Sequence, residues 1–133
     1  MRFIITAHPG SDTAAPDPEA AFDEKLFTTY MQFNEEMHRA GVLVAAEGLN
    51  PAGKGARVEV KRGRRTVVDG PFAESKETIG GYFLLKVGTM DEAVAIAQQC
   101  PGLPHGIRVE VRPVAGECPV AAEARTEAQL AHA

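Results

Sequence analysis

The strongest constraint on the fold is a change of hydrophobic period that occurs twice along the chain. Residues 2–7 (RFIITA) form a β-rich run, with Phe3 and Ile5 on one side of a strand and Ile4 and Thr6 on the other. A loop follows, HPGSDTAAPD, whose glycine and proline content forbids regular structure. Asp17-Pro18-Glu19 then supplies a helix cap, a first-turn proline and a first-turn acid. Phe22, Leu26, Tyr30, Phe33 and Met37 recur at intervals of four, four, three and four, the stripe of a helix over 18–40 that Gly41 closes. The strand period returns at 42–49 (VLVAAEGL), which Asn50-Pro51-Ala52-Gly53 ends. The same progression is then repeated. A strand at 82–87 (YFLLKV) leads to a helix opened by the capping box Thr89-Met90-Asp91-Glu92 and continued by Val94, Ala97 and Cys100 until Pro101-Gly102. A last strand over 106–114 alternates Ile107, Val109 and Val111 with Arg108, Glu110 and Arg112, so one face is charged and solvated.

Between these two strand–helix–strand halves, 56–61 and 65–68 alternate as a hairpin around Arg62-Gly63. Val58 and Val60 are expected inward, with Arg57, Glu59 and Lys61 outward. The order of elements predicts an α+β domain over 1–114, a ferredoxin-like β-α-β-β-β-β-α-β sheet with an inserted hairpin. Helices in such a fold cover one sheet face. The first, second and fifth strands nevertheless carry apolar residues on both sides: Phe3 and Ile4, Leu43 and Val44, Phe83 with Leu85 against Tyr82 with Leu84. A wide apolar face is covered most simply by the same face of a second copy, which predicts a homodimer with sheets packed face to face. Beyond Pro113 the composition shifts to alanine, glutamate and glutamine, and 115–133 reads as a flexible or weakly helical tail.

A chain of 133 residues with 44% hydrophobic and 24% charged residues is one domain able to bury its own core. The net charge of -4 leaves no cation excess for binding nucleic acid, and Lys61-Arg62-Gly63-Arg64-Arg65 reads as a solvated hairpin tip. No apolar run reaches membrane-spanning length and no signal-peptide pattern opens the chain, so a cytoplasmic protein with no membrane partner is expected. Cys100 and Cys118 have neither CxxC nor metal-type spacing. Cys100 falls on the buried face of a helix end and Cys118 in the tail, with no sequence support for a disulfide between them. His8, His38 and His105 show no metal-ligand spacing, His38 lies on the polar flank of the first helix, and His132 sits in the tail. No metal and no cofactor is expected.

The densest chemistry lies in VVDGPFAESKE, residues 67–77. The proline restricts Gly70 to extended geometry, so the chain turns with a fixed shape that projects Asp69 and Phe72 from the sheet rim. If a helical turn starts near Pro71, Glu74 and Glu77 share one side, and Lys76 can reach Asp69 or a ligand's carboxylate. A plain turn former with solvated charges fits the same residues. Gly80-Gly81 nearby permits a ligand or another backbone to come close.

DGPFAESKE followed by GGYFLLKV, preceded by AAEGLNP and ending in IRVEVRPV, resembles the DGPF group of YCII-related proteins, over about residues 2–114. The resemblance implies the dimeric ferredoxin-like α+β barrel superfamily, in agreement with the fold and dimer inferred from periodicity. Members of the group are mostly uncharacterised. In the wider family a histidine and an aspartate are proposed as a catalytic pair, and relatives eliminate or isomerise lactone-type small molecules. The resemblance carries the catalytic aspartate onto Asp69, and Glu47, Phe72, Glu74, Lys76 and Tyr82 fall in the matched segments as substrate-binding candidates. His8 is the preferred histidine, with His105 next. The group's frequent encoding beside extracytoplasmic-function sigma factors implies an accessory alternative. Two functions follow: acid–base chemistry of lyase or isomerase type on a small, anionic ligand at the motif, or a non-catalytic ligand-binding or protein-binding module linked to sigma-factor regulation.

Overall fold

A computed structural model describes residues 1–8, 24–49, 55–69, 79–116 and 118–131. In chain order the elements are β1 (Arg2–His8), α1 (Glu24–Arg39), β2 (Leu43–Gly48), β3 (Ala56–Lys61), β4 (Arg64–Asp69), β5 (Gly81–Lys86), α2 (Met90–Ala97), a 3-10 turn (Leu103–His105), β6 (Arg108–Pro113) and α3 (Pro119–Ala131). Four strands form one antiparallel sheet in the order β2-β5-β1-β6, while β3 and β4 pair only with each other. That is the expected ferredoxin-like arrangement with an inserted hairpin.

Period-two alternation divides the sheet into two faces. Phe3 and Ile5 of β1, and Phe83 and Leu85 of β5, point under the helices and are buried. Phe33 and Met37 of α1, with Ala97 and Cys100 at the end of α2, close over Ile5, Phe83 and Leu85. A second cluster joins Phe3, Val87 and Ala93 of α2. Each such large side chain removed from water contributes about 1.5–3 kcal/mol. The ring of Phe33 meets Phe83 edge-on, with centroids 5.5 Å apart, and Tyr30 stacks on the same ring at 6.4 Å. The Tyr30 hydroxyl lies 3.7 Å from the Cys100 thiol. Burial pushes the phenol well above its ordinary range, the Cys100 contact adds to this, and a hydrogen bond with the Gly102 backbone offsets part of it.

Two sequence expectations are sharpened and a third is overturned. The inner face of α2 is Ala93 and Ala97, with Cys100 just past its end, whereas Val94 is exposed, because the helix presents its smallest side chains to the sheet. In the capping box the Thr89 hydroxyl accepts from the Glu92 N–H at 3.2 Å, but the Glu92 carboxylate reaches back to the N–H of Gly88 at 3.1 Å. In the hairpin Val58 and Val60 are 66% and 68% exposed, and Val67, opposite Val58, is 67% exposed. Their alternation is correct in phase, yet no described element packs against that face. Arg62 and Gly63, at φ 52° and 76°, make the tight turn that joins the two strands with matching twist.

Strand β2 carries a bulge between Leu43 and Ala45. Both cysteines are free, Cys100 buried and Cys118 exposed just before α3. The start of the predicted first helix, with its Asp17-Pro18-Glu19 cap and Phe22, lies outside the described residues, as does His132. His38 is exposed. No described helix is long and apolar enough to cross a membrane.

Candidate functional site

The face of the sheet opposite the helices is built from the alternate residues of four strands. Register places Glu47 of β2 opposite Tyr82 of β5, Tyr82 opposite Thr6 of β1, and Thr6 opposite Glu110 of β6, so these four form one row across the sheet. The next row toward the centre is Ala45, Leu84, Ile4 and Arg112. At the other end His8, the last residue of β1, stands opposite Arg108. Gly80, lacking a side chain, lies against this end of β1 through a 2.8 Å hydrogen bond from its N–H to the Ala7 carbonyl.

His8 is the buried polar residue of the described core, 5% exposed. Its Nε2 lies 2.8 Å from the Thr6 hydroxyl and 2.8 Å from Oε2 of Glu110, whose side chain is 55% exposed. One ring nitrogen carries one hydrogen and an ionised carboxylate only accepts. The contacts therefore assign an Nε2–H that donates to Glu110, with the threonine oxygen beside it. Nδ1 is buried and has no hydrogen-bond partner among the described residues.

Of the residues singled out in the sequence, the structure brings His8, Glu47 and Tyr82 onto one sheet face. His105 ends the 3-10 turn before β6 and is exposed. Asp69 closes β4, its backbone paired with Ala56, and its side chain lies outside the described residues. Phe72, Glu74 and Lys76 also lie outside them. Thr6, Arg108 and Glu110 were not expected at the site. The spacing of Thr6 and His8 carried half of the signal, since residues two apart on a strand share a face. The other half, Glu110, depends on how β6 is registered against β1. Among the described residues no group of three His, Cys, Asp or Glu side chains is placed to hold a metal ion.

The arrangement is a polar corner on a sheet face that also carries Ile4, Leu84 and Ala45 at its centre: a buried imidazole, an exposed carboxylate fixed by it, two hydroxyls and nearby guanidiniums. The sequence profile of the YCII-related domain matches residues 1–115. An uncharacterized protein of Rhizobium meliloti (strain 1021) is 32% identical over 102 residues, covering 73% of this chain and 82% of that protein. With the profile spanning the strands and helices that build this corner, the chain belongs to the YCII-related family.

Proposed function

We propose that this protein binds a small molecule at the His8 end of the open sheet face and moves a proton on it, in chemistry of lyase or isomerase type. The observation that carries the reading is the buried His8 imidazole, whose Nε2 is held at 2.8 Å by the carboxylate of Glu110 on the open sheet face. An imidazole held by a carboxylate is the pairing that general acid–base catalysis uses to relay a proton. Tyr82 and Glu47, in the adjacent row, are the polar groups that orient the ligand, and His105 is a further contact residue. In this reading Asp69, Phe72, Glu74 and Lys76 of the DGPF segment form the remaining wall, a role supported by the likeness of that segment to its family. A second copy packing sheet to sheet over Ile4, Leu84 and Tyr82, all half-buried in the single chain, completes the enclosure.

The test is a thermal-shift screen of small carboxylates, lactones and phenolic acids on the wild type, His8→Gln and Asp69→Asn, with the mass of each in solution. A ligand at a hundred times its dissociation constant adds about 2.7 kcal/mol of stability. One chemical class is expected to stabilise both the wild type and His8→Gln, whose imidazole is buried, and to stabilise Asp69→Asn differently. If no class stabilises the wild type, the small-molecule reading is wrong.

The exposed valine face of the β3–β4 hairpin favours a second reading, a non-catalytic accessory module that docks on a protein such as a sigma factor. It requires binding without turnover, so Asp69→Asn and His8→Gln leave partner affinity intact while Val58→Glu abolishes it.

A further inference from the structure

The polar corner contains a division of labour that the buried imidazole alone does not reveal. His8 has no open route to a ligand on the sheet surface, being 5% exposed with Nδ1 sealed off, whereas Glu110 is 55% exposed. The imidazole grips one carboxylate oxygen, Oε2, and Oε1 has no partner among the described residues. The group able to touch a ligand is therefore the carboxylate, and the histidine is what holds it.

The charges around Glu110 strengthen this. Arg108 and Arg112 flank it two residues away on either side of β6, on the same face. A glutamate between two arginines would ordinarily pair with one of them, but here it is taken by His8, and neither guanidinium has an ion pair among the described residues. Arg2 and Lys86, opposite each other on β1 and β5, add two more cations to the face. Among the described residues four cations thus oppose two carboxylates, Glu47 and Glu110, on this face of a chain whose net charge is -4. A positive face with unspent guanidiniums on an acidic protein is an arrangement for holding anions.

Resting on the proposed small-molecule reading, we infer that the ligand is a small organic acid, held through its carboxylate by Arg108 and Arg112, and that Glu110 is the base that meets it, with His8 as a positioning residue. In the reaction the C–H bond beside a carbonyl of the ligand breaks, its proton passes to Oε1 of Glu110, and the electron pair moves onto the carbonyl oxygen as an enolate, which a guanidinium meets. Return of the proton to another carbon completes an isomerisation, and loss of a β-substituent as an anion completes an elimination. Neither needs an oxidant or reductant.

The probes are succinate and levulinate with their neutral amides, followed by thermal shift and by proton NMR titration. Exchange of the protons beside the levulinate ketone is followed in deuterated water. The acids are expected to bind the wild type and the amides not to. The double variant Arg108→Gln/Arg112→Gln is expected to weaken acid binding about tenfold or more, as loss of charge-assisted contacts does. Glu110→Gln should keep acid binding yet stop the exchange, and Glu110→Asp should restore part of it. His8→Gln should leave acid binding intact and shift the pH profile of exchange, a readout that a purely structural histidine would not move. Equal binding of acids and amides, or exchange that survives Glu110→Gln, overturns the inference. If lactones or phenols stabilise the wild type while acids do not, the small-molecule reading stands and this inference falls. If nothing binds, both fall.

Discussion

The four-stranded sheet and the β3–β4 hairpin use the same alternation of apolar and polar residues and reach opposite ends. In the sheet, Phe3, Ile5 and Leu85 lose nearly all contact with water beneath α1 and α2. In the hairpin, Val58, Val60 and Val67 line up on one face and keep about two thirds of their surface. Alternation decides which residues share a face. Whether that face leaves water depends on what lies above it, and among the described residues only the main sheet has helices to supply the cover. A two-stranded ribbon by itself is marginal in water, so the hairpin draws its order from its turn and ladder rather than from a core.

The largest break in this contrast is expected from Leu85→Ala, which empties a fully buried position and should cost about 2–5 kcal/mol in denaturant unfolding. Next comes Gly102→Ala. A Cβ there would collide with the Tyr30 hydroxyl and with Ile107, so the end of α2 must shift, at about 1–3 kcal/mol. Thr89→Ala removes the acceptor for the Glu92 N–H and should lower stability by about 1 kcal/mol, with Thr89→Ser recovering most of it.

An alkaline titration separates the core from the hairpin in another way. The folded-state pKa of Tyr30 lies above its ordinary 10.0, so its contribution is fully present below about pH 10 and is lost as the pH rises beyond that. Denaturant midpoints should fall above pH 10 in the wild type, and Tyr30→Phe should flatten that part of the decline. The smallest effect belongs to Val58→Ala, within about 0.5 kcal/mol for an exposed residue. A cost above about 1 kcal/mol there would mean that the valine face is covered in solution and would erase the contrast.

The fold was legible because period changes mark strands and helices directly: RFIITA, the Leu26-to-Met37 stripe and YFLLKV each announce their element. The fate of Val58 and Val60 was not legible, since a one-dimensional pattern carries no information about cover. At the site, Glu47, Tyr82 and His8 could be picked out individually. The carboxylate that grips His8 could not, because Glu110 belongs to a regular row of alternating charges that reads as solvated until β6 is laid beside β1. Which residues α2 turns inward was not legible for a related reason: Val94 has the hydrophobicity of a core residue, but the closely packed sheet accepts the smaller Ala93.

The bulge in β2 acts as a phase switch. Leu43 faces Leu85 beneath the helices, and were Val44 paired regularly rather than bulged, strict alternation would carry Ala45 and Glu47 to that same side. The insertion moves them across, so Ala46 takes the inner place and the Glu47 carboxylate emerges level with Tyr82. Deleting Val44 would leave Ala45, Ala46 and Glu47 opposite Leu84, Phe83 and Tyr82 in regular alternation, whereas deleting Ala45 as well would shift Ala46 outward and turn the Glu47 carboxylate toward the core. In this strand, length is therefore counted in parity: loss of the bulged residue keeps every face, and any other single-residue change needs a compensating one.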